Sequence, residues 1–487
     1  MTESERHEEL VAQRLAKAER WRERGVDPYP PRFKRTHSAD QIPALADQGG
    51  QVATVAGRIS AMRTMGKLAF IDLKDGTGRL QVMLRRDRVG DDAFAAIHDL
   101  DLGDFLGVTG EAIRSRTGEP TVDAASYTLL AKAIQPPPEK WHGLADVEQR
   151  YRQRYLDLLS NDTVRENFKI RSRVIAAIRR FMDGRGYIEV ETPVLHHSAG
   201  GAAALPFVTH HNAIDSDLYL RIALELHLKR LIVGGFERVY EIGRLFRNEA
   251  ADSTHNPEFT MMEWYEAYAD YNSIAEMFEE MVSTVALETV GSTEVPNPAG
   301  GTINLAPPWR RLRMREALQE HGGFDFEQYR DGESLLGLYR ERGIEPAPGA
   351  SWGKLLDDLV KRYVEPELVQ PTFLMDYPVE LTPLAKRKPD EPGIVERWEP
   401  FIRSFELGNA YSELNDPVDQ RERLEHQVRL KATGDEEAEQ LDEDFLTAME
   451  YGMPPMGGAG LGVDRLIMVL TGQRSIREVI LFPALRS

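Results

Sequence analysis

Hydrophobic positions along the chain change their period near residue 51 and again near residue 137. Over residues 5–24, Leu10, Val11, Leu15, Ala18 and Trp21 recur at helical spacing and Gly25 ends the run, which predicts an amphipathic helix. Its polar face carries Arg14, Lys17, Arg20, Arg22 and Arg24, which reads either as a solvated face or as a contact for a nucleic-acid backbone. Pro28, Tyr29, Pro30 and Pro31 then form a stiff extended connector. Residues 51–135 alternate instead: QVATVAGRIS, LAFIDLKD, GRLQVMLRR, DFLGVTGEAI and TVDAASYTLLAKAI read as short strands with Gly and Asp turns between them. Strands of this number and length suit a small barrel of the OB type, although any small β-barrel shows the same alternation.

Pro136, Pro137 and Pro138 break the pattern and mark a domain boundary. Beyond them the helical period returns. Residues 164–185 carry Ile170, Val174, Ala177, Ile178 and Phe181 as an apolar stripe, and residues 187–190 form a short strand stopped by Pro193. Residues 240–262 read as a pair of strands around a polar loop. Residues 291–395 carry helical patterns near 313–320, 333–342 and 353–363, then PTFLMDYP, an apolar run closed by Pro. This region reads as an insertion plus one strand of a larger sheet, and no chemistry is assigned in it before Glu399. The predicted class is α+β, with an N-terminal helical arm over 1–45, a barrel over 46–136, a linker over 137–150 and a larger domain over 151–487 that holds the insertion.

The chain has 487 residues, 41% hydrophobic and 29% charged, enough for at least two cores. It contains no cysteine, which excludes disulfides and thiolate metal sites. No stretch is apolar enough to span a membrane, and the charged start MTESERHEEL lacks the apolar centre of a signal peptide, so the cytoplasm is expected. Net charge is −19, which disfavours phosphate contacts over the whole surface and requires any basic patch to be local.

Candidate chemistry concentrates in the strand pair. Phe246-Arg247-Asn248-Glu249 puts a cation, an amide and a carboxylate into an apolar strand, with Arg247 and Glu249 leaving one face. Burying such charges without a ligand is costly, and Arg holds a carboxylate or phosphate through two parallel bonds. Taken alone, the pair fits a surface hairpin with an Arg–Glu ion pair equally well. Glu399 and Glu406 flank WEPFIRSFE and offer hard oxygens suited to Mg²⁺, or are two surface glutamates. Phe70 either stacks on a base or fills the barrel core, because the alternation of its neighbours Ala69 and Ile71 does not say which face is inside.

Three stretches together resemble the signature motifs of class II aminoacyl-tRNA synthetases. These are residues 181–193 (FMDGRGYIEVETP), FRNE followed by HNPEF, and the glycine-rich strand 457–465 ending in Asp464-Arg465, in the family's order. With the barrel they point to the subclass holding the lysyl, aspartyl and asparaginyl enzymes, and RIALELHLKRLIVGGFERVYEIGRLFRNE with LGNAYSELND resembles its lysyl branch. The resemblance implies a class II antiparallel sheet flanked by helices, preceded by an OB-type barrel. It implies ligation of L-lysine to tRNA(Lys) through an adenylate, with ATP and Mg²⁺, by a homodimer whose first motif supplies much of the subunit interface.

The resemblance also implies site residues. Arg247 bridges the amino acid carboxylate and the α-phosphate, and Arg465 meets the γ-phosphate and covers the adenine opposite Phe259. Glu249, His255, Asn256, Gly460 and Gly462 complete the ATP site, with Gly458 on the same strand, and Glu399 and Glu406 hold the metal. For lysine, Glu263 and Glu413 take the side-chain ammonium beside Tyr265. Glu225 and the backbone around Gly201 take the α-amino group, Asn409 bonds the carboxylate side and Tyr411 packs along the methylenes. Arg63, Phe70, Gln81 and Glu119 read the anticodon. Thr254 stands where some relatives carry Arg, and Leu224 and His227 vary the pattern around Glu225. An aspartyl or asparaginyl relative, a lysyl-transfer paralogue and a non-catalytic tRNA-binding paralogue are the alternatives; the carboxylates at 263 and 413 argue against the first.

Overall fold

Ala53, Val55, Ile59, Ala69, Ile71, Leu73, Val82, Leu84, Leu106 and Val108 recur at every second position and are almost wholly buried, which closes five strands around one core. They are β1 (Val52–Met65), β2 (Leu68–Lys74), β3 (Arg79–Arg85), β4 (Phe105–Arg114) and β5 (Pro120–Ala131), paired in the order β1-β2-β3-β5-β4 as a closed barrel. The computed structural model describes residues 2–137, 146–432 and 439–485, and the chain divides into two units, 1–144 and 145–487. Pro138 and most of the expected linker lie outside the described residues.

Helix α1 (Glu3–Glu23) starts at a capping box between Thr2 and Glu5. Its basic face is partly paired with the barrel, while Arg20, Arg22 and Arg24 remain exposed. Arg14 is 8% exposed and donates to the carbonyls of Leu102 (3.1 Å) and Ala133 (2.9 Å). Lys17 pairs with Asp101 at 2.7 Å, and Arg20 and Arg24 both reach Asp99 at 2.6 Å. The barrel presents buried aspartates on this side, and the helix supplies their counter-ions. Leu10 and Leu15, expected to face inward, are exposed instead.

In the second unit the elements are α2 (Asp162–Asp183), β6 (Ile188–Glu189), α3 (Glu225–Val233), β7 (Arg238–Phe246), β8 (Glu258–Ala267), α4 (Tyr271–Val290), β9 (Arg310–Arg313), α5 (Trp352–Tyr363), β10 (Thr372–Pro378), β11 (Ile394–Ile402), β12 (Gly408–Ser412), β13 (Met456–Gly462) and α6 (Val463–Thr471). The main sheet runs β9-β10-β11-β12-β13-β8-β7-β6, with Phe405–Glu406 paired beside β11. Neighbours from β10 through to β7 are antiparallel; the end strands β9 and β6 join in parallel. Trp264, Trp398, Ala410, Ala459 and Leu461 point to one face, into a core shared with Val174, Ala177, Ile178 and Phe181 of α2 and with Phe278 of α4. The stripe of α2 is thus filled within its own chain. The intervening residues of β8, β11, β12 and β13 turn to the other face, and the site is there.

The insertion contributes two strands of the sheet rather than one. β9 reads Arg-Arg-Leu-Arg and carries no apolar signal, yet it pairs in parallel with β10. Strand β7 ends at Phe246, one residue before Arg247, and Glu249 donates its N–H to the Arg247 carbonyl at 2.9 Å. Arg247 and Glu249 therefore sit on a tight turn and not on one strand face. Among the described residues no helix is long and apolar enough to cross a membrane.

Candidate active site

Two cavities meet on the open face of the sheet. One, of about 330 Å³, is lined by Arg247, Glu249, His255, Asn256, Phe259, Gly462 and Arg465; the other, of about 350 Å³, by Gly201, Glu225, Glu263, Tyr265, Asn409, Tyr411, Glu413 and Gly460. Arg247, Met261, Lys361, Glu406 and Asn409 line both. A cation thus stands at the junction of an elongated two-part site.

At the first cavity, Arg247 is half-buried, and its Nε is buried with no protein partner. Burial pulls its pKa down, and Glu249 and Glu406 offset this in part. An arginine held this way is short of negative charge. Its guanidinium lies over the Phe259 ring, 5.2 Å from the centroid, so this chain's own cation already covers one side of that ring. Arg465 donates to the Glu406 carbonyl at 2.6 Å and meets His255 Nε2 at 3.2 Å, while His255 Nδ1 faces Asp252 at 2.9 Å. Asn256 is 5% exposed, donates to the Glu258 carbonyl at 2.6 Å and accepts from the Ala484 N–H at 3.0 Å. It borders the cavity, but its amide is spent on the backbone. Asp464, buried before Arg465, accepts from the Thr260 N–H at 2.7 Å and pairs with Arg171 of α2. It anchors the glycine strand to β8, a role the sequence reading left unassigned.

The second cavity is acidic. Glu225, Glu263, Glu413 and Glu439 are each at most 7% exposed. Glu263 accepts from the Leu224 N–H at 2.9 Å and from Tyr265 Oη at 3.3 Å. Burial, with repulsion from Glu225, pushes its carboxyl up to about 8. Burial likewise raises Glu413 to about 8, although Lys229 pulls against it, and raises Glu439 to about 7. Lys229 of α3 is fully buried, with Nζ 2.5 Å from both Glu225 Oε1 and Glu413 Oε2. Glu413 Oε1 is buried with no hydrogen-bond partner. Neither Lys229 nor Glu439 was expected: on sequence, Lys229 is one more lysine of an amphipathic helix. Glu439 Oε2 accepts from the Gly201 N–H at 3.4 Å, and Gly201 adopts φ +85°, open to glycine at little cost. Asn409 donates to Tyr411 Oη at 3.2 Å.

Gly458 and Gly460 of β13 lie against the protein's own side chains. A methyl at Gly458 would overlap Tyr265 Cε1 and Glu413 Oε1, both far inside 3.0 Å, and one at Gly460 would lie 2.6 Å from Met261 Cε. They make room for the protein's own site side chains before any ligand.

Glu399 is half-buried, paired with Arg397, and accepts from Tyr377 Oη at 2.7 Å; Glu406 Oε2 lies 3.7 Å from Arg465. Burial raises Glu399, and Glu406 and Asp357 add to the rise. Glu365 is pushed up to about 7 by burial and by Glu399. Crowded carboxylates of this kind favour a cation. Among the described residues no group of three or more His, Cys, Asp or Glu is placed to hold a metal unaided. Mg²⁺ binds through one or two carboxylates together with phosphate oxygens, and the carboxylates of Glu399 and Glu406 would suit it. Asp357, Lys361 and Glu365 reach this wall from α5 and the turn after it, so the insertion lines the cavity in a stretch where no site residue is expected from the sequence.

On the barrel, Ala69 and Ile71 are wholly buried and Phe70 between them faces outward. Arg63 is its cross-strand partner, with the guanidinium 5.1 Å from the ring centroid. Gln81 is 9% exposed and accepts from Thr121 Oγ1 at 3.2 Å; Glu119 is exposed, 3.8 Å from Arg79. An aromatic, a cation and an amide on one barrel face suit stacking and edge recognition of unpaired bases.

The family model described as tRNA synthetases class II (D, K and N) matches residues 146–486, and one described as OB-fold nucleic acid binding domain matches 53–130. The chain is 52% identical over 487 residues to a lysine–tRNA ligase of Dehalococcoides mccartyi, covering 98% of both chains. It is 53% identical over 483 residues to one of Moorella thermoacetica, covering 99% of each. A lysine–tRNA ligase of a Roseiflexus species is 52% identical over 98% of this chain and 99% of its own.

Proposed function

From the premise that this chain belongs to the class II tRNA synthetases of the D, K and N group, we propose that it activates L-lysine with ATP and transfers the lysyl group to tRNA(Lys), supplying translation in the cytoplasm. The carrying observation is the charge of the second cavity: Glu225, Glu263, Glu413 and Glu439 face one resident ammonium, Lys229, and Arg247 stands at the mouth. Lysine carries two ammonium groups and one carboxylate, which match that pattern. An aspartate or asparagine pocket would not line its deep end with unpaired carboxylates.

Joining a carboxylate to the α-phosphate asks the protein for positioning and charge neutralisation, not for a nucleophile. Arg247 is under-neutralised at the junction of the two cavities, where it can draw both anions together. Arg465 and His255, in contact at 3.2 Å, are donors for the outer phosphates. Glu399 and Glu406 would hold Mg²⁺, which when bound neutralises phosphate charge. Phe70, Arg63, Gln81 and Glu119 of the barrel read the anticodon in this proposal. Ile188, Val194 and Leu195, exposed by 50%, 39% and 46% at and just after the edge strand β6, support a homodimer through that edge.

The test is ATP–pyrophosphate exchange with each standard amino acid in turn. Lysine alone is expected to support exchange. Comparable exchange with aspartate or asparagine overturns the assignment, and no exchange with any amino acid favours a tRNA-binding protein without catalysis.

A further inference from the structure

The fully buried Lys229 is an unusual resident for a pocket that is to receive lysine. Its Nζ lies 2.5 Å from Glu225 Oε1, one turn back on α3, and 2.5 Å from Glu413 Oε2, past the end of β12. The Tyr265 and Phe445 rings stand 5.9 and 6.0 Å away. The other ionisable groups around this cluster are Glu263 of β8, Tyr411 of β12 and Glu439.

We propose that Lys229 is a resident counter-cation that sets how many positive charges the pocket still requires, and so makes the site select an amino acid with two ammonium groups. This rests on the lysine-activation reading above. The geometry carries it in two ways. A buried ion pair that served the fold alone would close on itself, because burying a surplus charge is costly. Here one ammonium faces Glu225 and Glu413, while Glu263 and Glu439 bond only hydroxyl or N–H groups. Two acidic groups of the cavity are thus left without a cation. Secondly, Lys229 occupies the inner oxygens and leaves Glu413 Oε1 buried and unpartnered. It draws both flanking carboxylates together from their inner side.

Without Lys229, Glu225 and Glu413 would converge on one point with no cation between them. One of them would take up a proton and present a hydroxyl, which accepts a neutral side chain far more readily than a carboxylate does. Lys229 touches no substrate in this account; it is a positioning residue.

The test uses the full chain as K229M, K229Q and K229R. Lysine binding is followed by calorimetry from pH 6.5 to 9 in buffers of different ionisation enthalpy, which counts protons. Pyrophosphate exchange compares lysine with norleucine. In the neutral variants lysine binding at pH 7 is expected to weaken by about ten-fold or more, with about one more proton released, because each unit of pKa rise is ten-fold. The loss should all but vanish by pH 9, and preference for lysine over norleucine at pH 7 should fall about ten-fold. K229R should keep the pH midpoint of wild type whatever its affinity. A loss of the same size at every pH, or unchanged preference for lysine, overturns the proposal and leaves Lys229 a packing residue. Failure of both neutral variants to fold, judged by melting, while K229R folds would assign Lys229 to the fold and overturn it equally. Wild-type chain that binds no lysine at any pH would instead sink the lysine-activation reading.

Discussion

Gly458→Ala separates the two reasons a glycine can sit under a binding site. If the strand is bare only for a ligand, a methyl there interferes with binding and nothing else moves. In this chain the methyl would overlap Tyr265 Cε1 and Glu413 Oε1, each far inside 3.0 Å. Ordinary carbon contacts lie at about 3.5–4.0 Å, so a displacement of roughly 1 Å is needed. The strand itself cannot give way, because Gly458 pairs with Tyr265 on one side and Tyr411 on the other. The side chains must move, at an overpacking cost of about 1–3 kcal/mol. A misplacement of about 1 Å in a reacting site costs on the order of a hundred-fold. Gly460→Ala is the control: its methyl meets Met261 Cε at 2.6 Å, the free end of a flexible side chain, and otherwise lies at ordinary contact distances of 3.5 Å or more. Lysine-dependent pyrophosphate exchange should therefore fall about a hundred-fold in kcat/KM for Gly458→Ala, mainly through the KM for lysine, and less than about ten-fold for Gly460→Ala. Melting curves check that both variants fold. Activity of Gly458→Ala within three-fold of wild type, or a larger loss at Gly460, would refute the reasoning.

Arg247→Ala should abolish exchange, with at least about a hundred-fold loss, while the melting temperature holds, because its charge awaits ligands and not protein partners; near-normal exchange would return it to a structural ion pair. Phe70→Ala should weaken use of tRNA by about 1–3 kcal/mol, ten- to a hundred-fold, with exchange unchanged; parallel loss of both activities would mean that the barrel had unfolded. Glu263 is held up to about 8 and Glu439 to about 7 in the free chain, chiefly by burial. Both are protonated below those values and must ionise to meet an ammonium, so lysine affinity should rise with pH, by about ten-fold per unit between pH 7 and 8 and more steeply below pH 7, and level off above pH 8, with proton release on binding. Calorimetry that shows a flat affinity between pH 6 and 8 would contradict this.

The architecture was legible where one period ran without interruption. The five barrel strands and α2 appear where alternation or helical spacing placed them; the glycine strand, placed by the motif resemblance, ends at Gly462, and Asp464 and Arg465 stand on α6. Three kinds of feature were not legible. Phe70 has the same alternation whether it faces in or out, and only closure of the barrel turns Ala69 and Ile71 inward. Arg14, Lys17, Arg20 and Arg24 look like a solvent face because their partners Asp99 and Asp101 and the Leu102 and Ala133 carbonyls are distant in sequence. Lys229, Glu439, Asp357, Lys361 and Glu365 belong to stretches whose polar spacing is that of ordinary helices and loops. Nothing local marks a charge that tertiary folding will bring to a cavity wall. Arg247 and Glu249 show the reverse: the sequence pattern extends a strand three residues too far, across the turn that aims them.

The main sheet keeps its apolar core on one side and its ligand chemistry on the other, with adjacent residues of the same strand assigned to opposite tasks. Trp264 and Ala459 serve one; Glu263, Gly458 and Gly460 the other. In evolutionary terms this uncouples inheritance of the scaffold from inheritance of the substrate. A descendant can exchange every second residue of β8, β12 and β13 and acquire a pocket for a different amino acid, while the residues that make it fold pass on untouched. Such a sheet can found a lineage of enzymes whose members share a body and differ in what they recognise.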